Sequence, residues 1–193
     1  MVEKKEQPII SFGTPSAWET WLSKNHDSSA GVWLRFFKKG SGIPTVVYAE
    51  ALDVALCYGW IDGQLQRCDE QSYLRKFTPR RPQSLWSKQN IEHVLRLEKE
   101  GKMKPAGIKA FESAKADGRL EKAYDSPGKM SAPDDFLKAL KKDAEAFAFF
   151  ESLNKANKYA IAWRLQTAKN PATREKRMKM LLEMLLNGKK LHE

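Results

Sequence analysis

Residues 73–90, YLRKFTPRRPQSLWSKQN, have the side chains that proteins use to bind anions. The stretch contains five lysines and arginines and no aspartate or glutamate. Three aromatic residues are spaced between the charges, as on surfaces that stack bases and contact phosphates. Guanidinium groups also suit bidentate contacts to phosphate. The pattern therefore predicts an anion-binding surface formed by Arg75, Lys76, Arg80, Arg81, Lys88, Tyr73, Phe77 and Trp86.

The same stretch also has a purely structural interpretation. Half of the residues in a strand face the core whatever the function of the protein, and exposed loops are often charged. In that case the arginines pair with nearby acids such as Asp62, Asp69 and Glu70. The sequence leaves both interpretations open.

A second candidate lies upstream, in YGWIDGQ at residues 58–64. Asp62 stands where a helix is predicted to pass into a strand, and Gly63 beside it indicates a bulge or a close backbone approach. One hypothesis is a carboxylate that orients a ligand or Arg80, with Arg67 nearby. The other is an aspartate in a turn, next to a tryptophan of the core.

Residues suited to metal binding or nucleophilic catalysis are few. His26, His93 and His192 have no carboxylate or second histidine three or four residues further along a shared helix. Cys57 and Cys68 are separated by ten residues, which matches no standard zinc spacing and predicts two reduced thiols in or near the core. No P-loop, dinucleotide-binding or nucleophile-elbow motif is present. We therefore expect no metal and no cofactor.

Composition and charge bound the class of protein. The 193 residues are 41% hydrophobic and 30% charged, which is typical of a globular protein with one large or two small domains. No apolar run is long enough for a membrane span, and the N-terminus lacks the apolar segment of a secretion signal, so we expect a cytoplasmic protein.

The net charge of +10 is unevenly distributed. Residues 1–100 carry 14 lysines and arginines against 12 aspartates and glutamates, whereas residues 101–193 carry 20 against 12. A field of this sign favours an anionic ligand or nucleic acid as the partner. A protein partner is also possible, and the sequence does not indicate the oligomeric state.

Hydrophobic periodicity predicts the elements that position these residues. A short strand at 8–12 precedes a helix with Thr14 as its N-cap and Pro15 at its first position. A strand follows within 31–40, and then a helix that ends near Gly59 and buries Ala49, Leu52, Ala55 and Leu56.

Residues 60–68 and 72–78 then flank a short polar turn and predict a β-hairpin. The strand signal disappears after residue 101. A run of strands followed by a run of helices indicates an α+β fold, with an N-terminal antiparallel sheet and an all-helical C-terminal region. We predict a domain at 1–118, an irregular connection at 119–131 that contains Pro127 and Gly128, and a helical region at 132–193.

The last helix, within NPATREKRMKMLLEMLLNG, is basic and amphipathic. Such a helix could contact nucleic acid or an anionic membrane surface. Its apolar stripe contains methionine and leucine instead of the aromatic residues that membrane binding prefers. We therefore predict that the stripe packs against other helices, through Met178, Leu181, Leu182 and Leu185.

Four blocks of sequence together carry a family resemblance. They are ALDVALCYGWIDGQ, YLRKFTPRRPQSLWSKQNIEHV, GKMKPAGIKAFESAKADGR and YAIAWRLQTAKNPATREKRMKMLLEML. In this order they resemble the YdeI/OmpD-associated family of bacterial proteins, also described as bacteriocin-protection proteins, over roughly residues 12–192. The resemblance implies a cytoplasmic bacterial protein linked to tolerance of bacteriocins or cationic antimicrobial peptides. It supplies no catalytic mechanism, and no active-site residues are carried over from it.

Taken together, these observations favour a binding protein in bacterial stress or bacteriocin tolerance over an enzyme. The alternative is an enzyme that acts on a small phosphorylated or otherwise anionic substrate, with Asp62 as acid/base and the arginines as an electrostatic clamp. A protein-interaction module is a further alternative, and it would present an exposed apolar patch.

Overall fold

The computed structural model describes residues 7–125 and 129–192. Four strands and eight helices form within these ranges. In chain order they are β1 (Ile9–Ile10), α1 (Pro15–Asn25), β2 (Val32–Phe37), α2 (Tyr48–Cys57), β3 (Trp60–Arg67), β4 (Ser72–Pro79), α3 (Lys88–Lys99), α4 (Pro105–Ala116), α5 (Asp134–Leu140), α6 (Ala144–Ser152), α7 (Lys155–Gln166) and α8 (Pro171–Leu186).

The described residues divide into two compact units. The N-terminal unit consists of the described residues up to Ser84 together with Asn90–Glu121, and the C-terminal unit consists of Leu85–Gln89 together with the described residues from Lys122 onward. The sheet belongs to the first unit, and helices α5 to α8 belong to the second. The predicted α+β class is thereby confirmed. The predicted domain limits stay a prediction, and residues 126–128 of the predicted connection, including Pro127 and Gly128, lie outside the described residues.

The sheet of the N-terminal unit has the strand order β1-β2-β4-β3. Strands β2, β4 and β3 are antiparallel neighbours, as predicted, but β1 runs parallel to β2. The prediction of an antiparallel sheet is therefore confirmed for β2, β4 and β3 and wrong for β1. The physical reason is that α1 lies between β1 and β2 in the chain, and such a crossover connection lets two successive strands run in the same direction.

The core of this unit is built around Trp18 on α1. The helix begins where Thr14 Oγ1 accepts a hydrogen bond from the Ala17 backbone N–H at 3.2 Å, which confirms the predicted N-cap. The Trp18 side chain is fully buried, and its ring centroid lies 5.7 Å from that of Phe77 on β4. Its Nε1 donates to the Ala51 carbonyl at 3.0 Å, which joins α1 to α2.

Strand and helix faces largely follow the predicted periodicity. Val32, Leu34 and Phe36 alternate along β2 and are all buried. On α2 the buried residues are Ala51, Leu52, Ala55, Leu56 and Cys57. Ala49 is exposed instead, because it lies in the first turn of α2, before the buried face begins at Ala51.

The C-terminal unit has a separate hydrophobic core formed by α5 to α8. Its fully buried members include Phe136, Ile161 and Leu181, and Met178 and Leu182 pack against them. The prediction that the apolar stripe of the last helix packs against other helices is confirmed. Across the described ranges, no helix has the length and apolar character that a membrane span requires.

Candidate functional site

The turn between α2 and β3 anchors the basic segment that follows β4. Gly59 in this turn has φ +72°, and a Cβ there would lie 2.9 Å from the carbonyl oxygen of Ala106 on α4. The Gly59 carbonyl accepts a hydrogen bond from the Arg80 backbone N–H at 2.9 Å. Glycine is needed at this position because the turn takes a left-handed conformation and α4 approaches it closely.

A cavity of about 360 Å³ opens between this turn, the segment after β4 and α4. Its apolar lining includes Tyr58, Trp60 and Pro82. Its arginines and lysines are Arg80, Arg81, Lys109 and Arg119. We call this cavity the basic cavity. Its volume exceeds what a single phosphate fills and lies in the range of small-molecule sites.

The cations of the basic cavity differ in how they are already paired. Arg119 Nε lies 2.7 and 2.8 Å from the two carboxylate oxygens of Asp117, so much of its charge is balanced. Among the described residues, Arg81 and Lys109 have no carboxylate within ion-pair distance, and both are exposed. Asp27 also lines the cavity, but it lies beyond ion-pair distance of both cations. Arg81 and Lys109 therefore keep their charges available for an anion.

Asp62, predicted to lie near Arg80, is not part of this lining. Its Oδ2 accepts hydrogen bonds from the Arg75 guanidinium at 2.6 Å and from the Tyr48 hydroxyl at 2.8 Å. The Arg75 guanidinium also lies over the Tyr48 ring, 4.5 Å from its centroid. Burial, and then the neighbouring Asp62 carboxylate, raise the pKa of the Tyr48 hydroxyl above its ordinary value.

The aromatic residues predicted to stack on a ligand are largely occupied by the protein itself. Phe77 is fully buried against Trp18, and Tyr73 stacks on Phe36 with centroids 5.2 Å apart. The prediction that Phe77 offers an open stacking face is wrong, because its side of the sheet is the side that α1 covers.

The remaining predicted residues are spread over other parts of the chain. Lys76 lies on the opposite face of the sheet, with Nζ 5.6 Å from the Trp33 ring centroid, and Arg67 is exposed at the end of β3. Trp86 and Lys88 belong to the C-terminal unit. Trp86 is buried, so its predicted stacking role does not fit. Of the predicted residues, Arg80 and Arg81 line the basic cavity.

Lys88 makes an ion pair within the C-terminal unit. Its Nζ lies 2.8 Å from Asp125 Oδ1, and hydrogen bonding from Lys88 lowers the pKa of the Asp125 carboxyl. Backbone hydrogen bonds join the same two segments, from Lys88 N to Tyr124 O at 2.9 Å and from Tyr124 N to Trp86 O at 3.0 Å. Lys88 therefore has a structural contact that the sequence did not predict.

A polar network that the sequence pattern does not predict connects α2 and α3. His93 Nδ1 lies 2.7 Å from Asp53 Oδ1, and Arg96 donates to Asp53 Oδ2 at 2.5 Å. Asp53 also lines a cavity of about 500 Å³ beside Cys57. Spacing along a single helix does not reveal this pairing, because Asp53 lies on α2 and His93 on α3. Within the described residues, no group of three side chains suited to hold a metal forms.

The two cysteines lie in different environments. Cys57 is buried on α2, and this burial raises the pKa of its thiol to about 11. Cys68 is exposed in the β3–β4 turn region, so the prediction of two thiols in or near the core holds for Cys57 and is wrong for Cys68. The difference follows from the end of β3 at Arg67, after which the chain leaves the sheet.

We expect iodoacetamide at pH 8 to alkylate Cys68 at least about a hundredfold faster than Cys57. The thiolate is the reactive form, and its fraction falls about tenfold for each pH unit below the thiol pKa. Peptide mapping by mass spectrometry over a time course measures both rates. In concentrated guanidinium chloride the two rates should converge, and equal rates in the native protein would contradict the burial of Cys57.

The chain consists of an α+β unit with a basic cavity and a helical unit, and each contains residues that match a known family model. Residues 10–110 match the family model described as a domain of unknown function, DUF8412, and residues 129–188 match the model described as bacteriocin-protection, YdeI or OmpD-associated. Because the first match spans more than half of the 193 residues, the chain belongs to that domain family, and α5 to α8 lie within the residues that match the YdeI/OmpD-associated model. Neither the curated proteins nor the solved structures contain a match to the chain.

Proposed function

We propose that this protein binds a small organic anion in the basic cavity and acts without catalysis in bacterial tolerance of bacteriocins or cationic peptides. The observation that carries the proposal is the convergence of Arg81 and Lys109 on one cavity with an apolar lining. The available positive charge would hold a phosphate or carboxylate group, and the apolar wall at Tyr58 and Trp60 would hold the carbon part of the ligand. The proposed location is the cytoplasm.

A small ligand fits this geometry better than a polynucleotide does. Binding to a polynucleotide needs an open basic stripe with exposed rings. Phe77 and Trp86, which would have supplied such rings, are buried. The charges at Arg81 and Lys109 instead face a concave space. A test of the proposal must therefore distinguish binding of a small anion from binding of nucleic acid.

The alternative of an enzyme with Asp62 as acid/base receives less support. An acid/base group must reach the substrate, but Asp62 Oδ2 is occupied by Arg75 and Tyr48, and Asp62 does not line the basic cavity. A carboxylate held by a guanidinium at 2.6 Å is better suited to fix the strand geometry than to exchange protons.

Protection against a cationic peptide would then be indirect. The net charge of +10 opposes an encounter with a peptide of the same sign. A protein that binds an anionic metabolite could instead affect tolerance through the level or the location of that metabolite. The family description of residues 129–188 supports the link to bacteriocin protection and specifies no ligand.

Isothermal titration calorimetry with phenyl phosphate and with inorganic phosphate tests this function. We expect phenyl phosphate to bind more tightly, because only it fills the apolar part of the cavity. The double variant Arg81→Ala/Lys109→Ala should lower its affinity by about tenfold or more, since a hydrogen bond to a charged group contributes about 1.5–3 kcal/mol.

The control is Lys39→Ala/Arg67→Ala, which removes the same charge from exposed positions outside the basic cavity. An equal loss of affinity in both double variants would show that only net charge matters and would overturn the proposal. Fluorescence anisotropy with labelled single-stranded DNA, RNA and duplex across a salt series measures nucleic-acid binding. Micromolar polymer binding that Arg81→Ala/Lys109→Ala abolishes, in a protein that does not bind phenyl phosphate, would also overturn it.

A further inference from the structure

A groove on the C-terminal unit lies between α7 and α8 and has a volume of about 620 Å³. Trp163 on α7 and Met180 on α8 line it and are 37% and 47% exposed, although both are large apolar residues. Ala156 and Ala160 also line it, and their small side chains leave space between the two helices. Large apolar side chains that line an open groove are typical of interaction surfaces.

A buried polar side chain holds one wall of the groove in place. Asn157 is 1% exposed, and its Oδ1 accepts hydrogen bonds from the backbone N–H groups of Leu191 and His192 at 3.0 and 2.9 Å. Its Nδ2 donates to the His192 carbonyl at 3.0 Å. His192 lines the groove, so the segment after α8 is fixed there by hydrogen bonds. The groove is therefore formed before anything binds to it, which lowers the entropic cost of binding.

The charge at the groove is positive and uncompensated within the described part of the chain. Arg164 and Arg177 line it, and neither has a carboxylate within ion-pair distance among the described residues. Both guanidinium groups instead donate hydrogen bonds to backbone carbonyls. Arg177 donates to the Arg164 carbonyl at 2.7 Å, and Arg164 donates to the Ala160 carbonyl at 3.3 Å. These contacts fix the position of the guanidinium groups and leave their positive charge for a partner.

We propose that this groove docks an acidic segment of a partner protein, with an apolar side chain of that segment between Trp163 and Met180. Charge complementarity selects this occupant, because Leu85–Gln89 and residues 122–193 carry 16 lysines and arginines against 9 aspartates and glutamates. Tryptophan and arginine are the residues most often found at binding hot spots, and methionine adapts its shape to a partner. The proposal concerns a different site from the basic cavity and does not depend on it.

Selection from a random 12-residue peptide library displayed on phage tests the proposal on the full chain. We expect enriched peptides to combine several glutamates or aspartates with one large apolar residue. A synthetic peptide of the enriched sequence, labelled with fluorescein, should then lose about tenfold or more in affinity for Trp163→Ala, as measured by fluorescence anisotropy. A similar loss is expected for Arg177→Gln.

Two controls separate the groove from general effects. Leu186→Ala removes an exposed apolar side chain of α8 outside the groove lining, and Lys176→Gln removes an exposed charge of the same helix. Both variants should bind the peptide like the parent protein, and circular dichroism should show the same helix content for all variants.

Several results would overturn the proposal. They are the absence of enrichment, enrichment of basic or uncharged peptides, and peptide binding that Trp163→Ala leaves unchanged. Sedimentation equilibrium tests whether a second copy of this chain occupies the groove. A dimer that Trp163→Ala dissociates would assign the groove to self-association. The groove would be assigned to a lipid surface if the protein bound no peptide but co-sedimented with phosphatidylglycerol vesicles, and if Trp163→Ala abolished this co-sedimentation.

Discussion

Gly107→Ala should lower the free energy of unfolding by about 2–4 kcal/mol, although alanine favours helices over glycine by about 1 kcal/mol. A Cβ at this position of α4 would lie 2.2 Å from the Cys57 carbonyl oxygen and 2.8 Å from that of Leu56. Both atoms belong to the backbone at the end of α2, so no side-chain rotation relieves the overlap. The helix would have to move away from α2, and Lys109 would move with it. Urea unfolding followed by circular dichroism measures the loss.

Gly13→Ala is the matched control for this substitution. A Cβ at Gly13 would meet its nearest atom, Pro44 Cβ, at an ordinary contact distance of 3.6 Å. Because alanine also restricts the unfolded chain, we expect this variant to be as stable as the parent or more stable by up to about 1 kcal/mol. If Gly107→Ala kept the stability of the parent, the close approach of α4 to α2 would not exist in the protein in solution.

The outline of the fold could be predicted because it depends on local patterns. Alternation along β2 and the hairpin of β3 and β4 identify the strands, and the Thr14-Pro15 pair identifies the start of α1. The direction of β1 could not be predicted in the same way. Its parallel pairing depends on where the chain returns to the sheet after α1, which is a tertiary contact that no short window of sequence contains.

The candidate site could be predicted only in part, for a similar reason. The basic segment after β4 identified Arg80 and Arg81, but Lys109 and Arg119 come from residues that are distant in sequence. The sequence did carry one signal of this contact. Gly59 and Gly107 lie in two of the blocks on which the family resemblance rests, and both are positions where two backbones approach closely.

The burial of the predicted stacking residues illustrates a further limit. Alternation along β4 puts Tyr73, Arg75 and Phe77 on one face, where they pair across the sheet with Phe36, Leu34 and Val32. Alternation does not say which face the helices cover. Here α1 and α2 cover the face with the aromatic residues, so Phe77 became part of the core and Arg75 paired with Asp62.

Asp62→Ala should lower the free energy of unfolding by about 2–3 kcal/mol. Breaking a buried ion pair costs about 3–5 kcal/mol, and the cost is smaller here because the Arg75 and Asp62 side chains remain 23% and 16% exposed. The substitution removes the acceptor of both Arg75 and Tyr48. Within the described structure, Arg75 Nε is already buried without a hydrogen-bond partner, so the guanidinium would lose its main compensation for burial.

A double-mutant cycle with Arg75→Met separates this electrostatic effect from loss of packing. Because replacing both members of a buried pair is far less costly than replacing one, Asp62→Ala/Arg75→Met should be more stable than Asp62→Ala by about 1 kcal/mol or more. Glu100→Ala, which removes an exposed partner of Arg96 and Lys102, should cause a much smaller loss. An Asp62→Ala variant with the stability of the parent would show that Asp62 is not needed for the fold, and a role in chemistry would then become the better explanation of its place beside Arg75 and Tyr48.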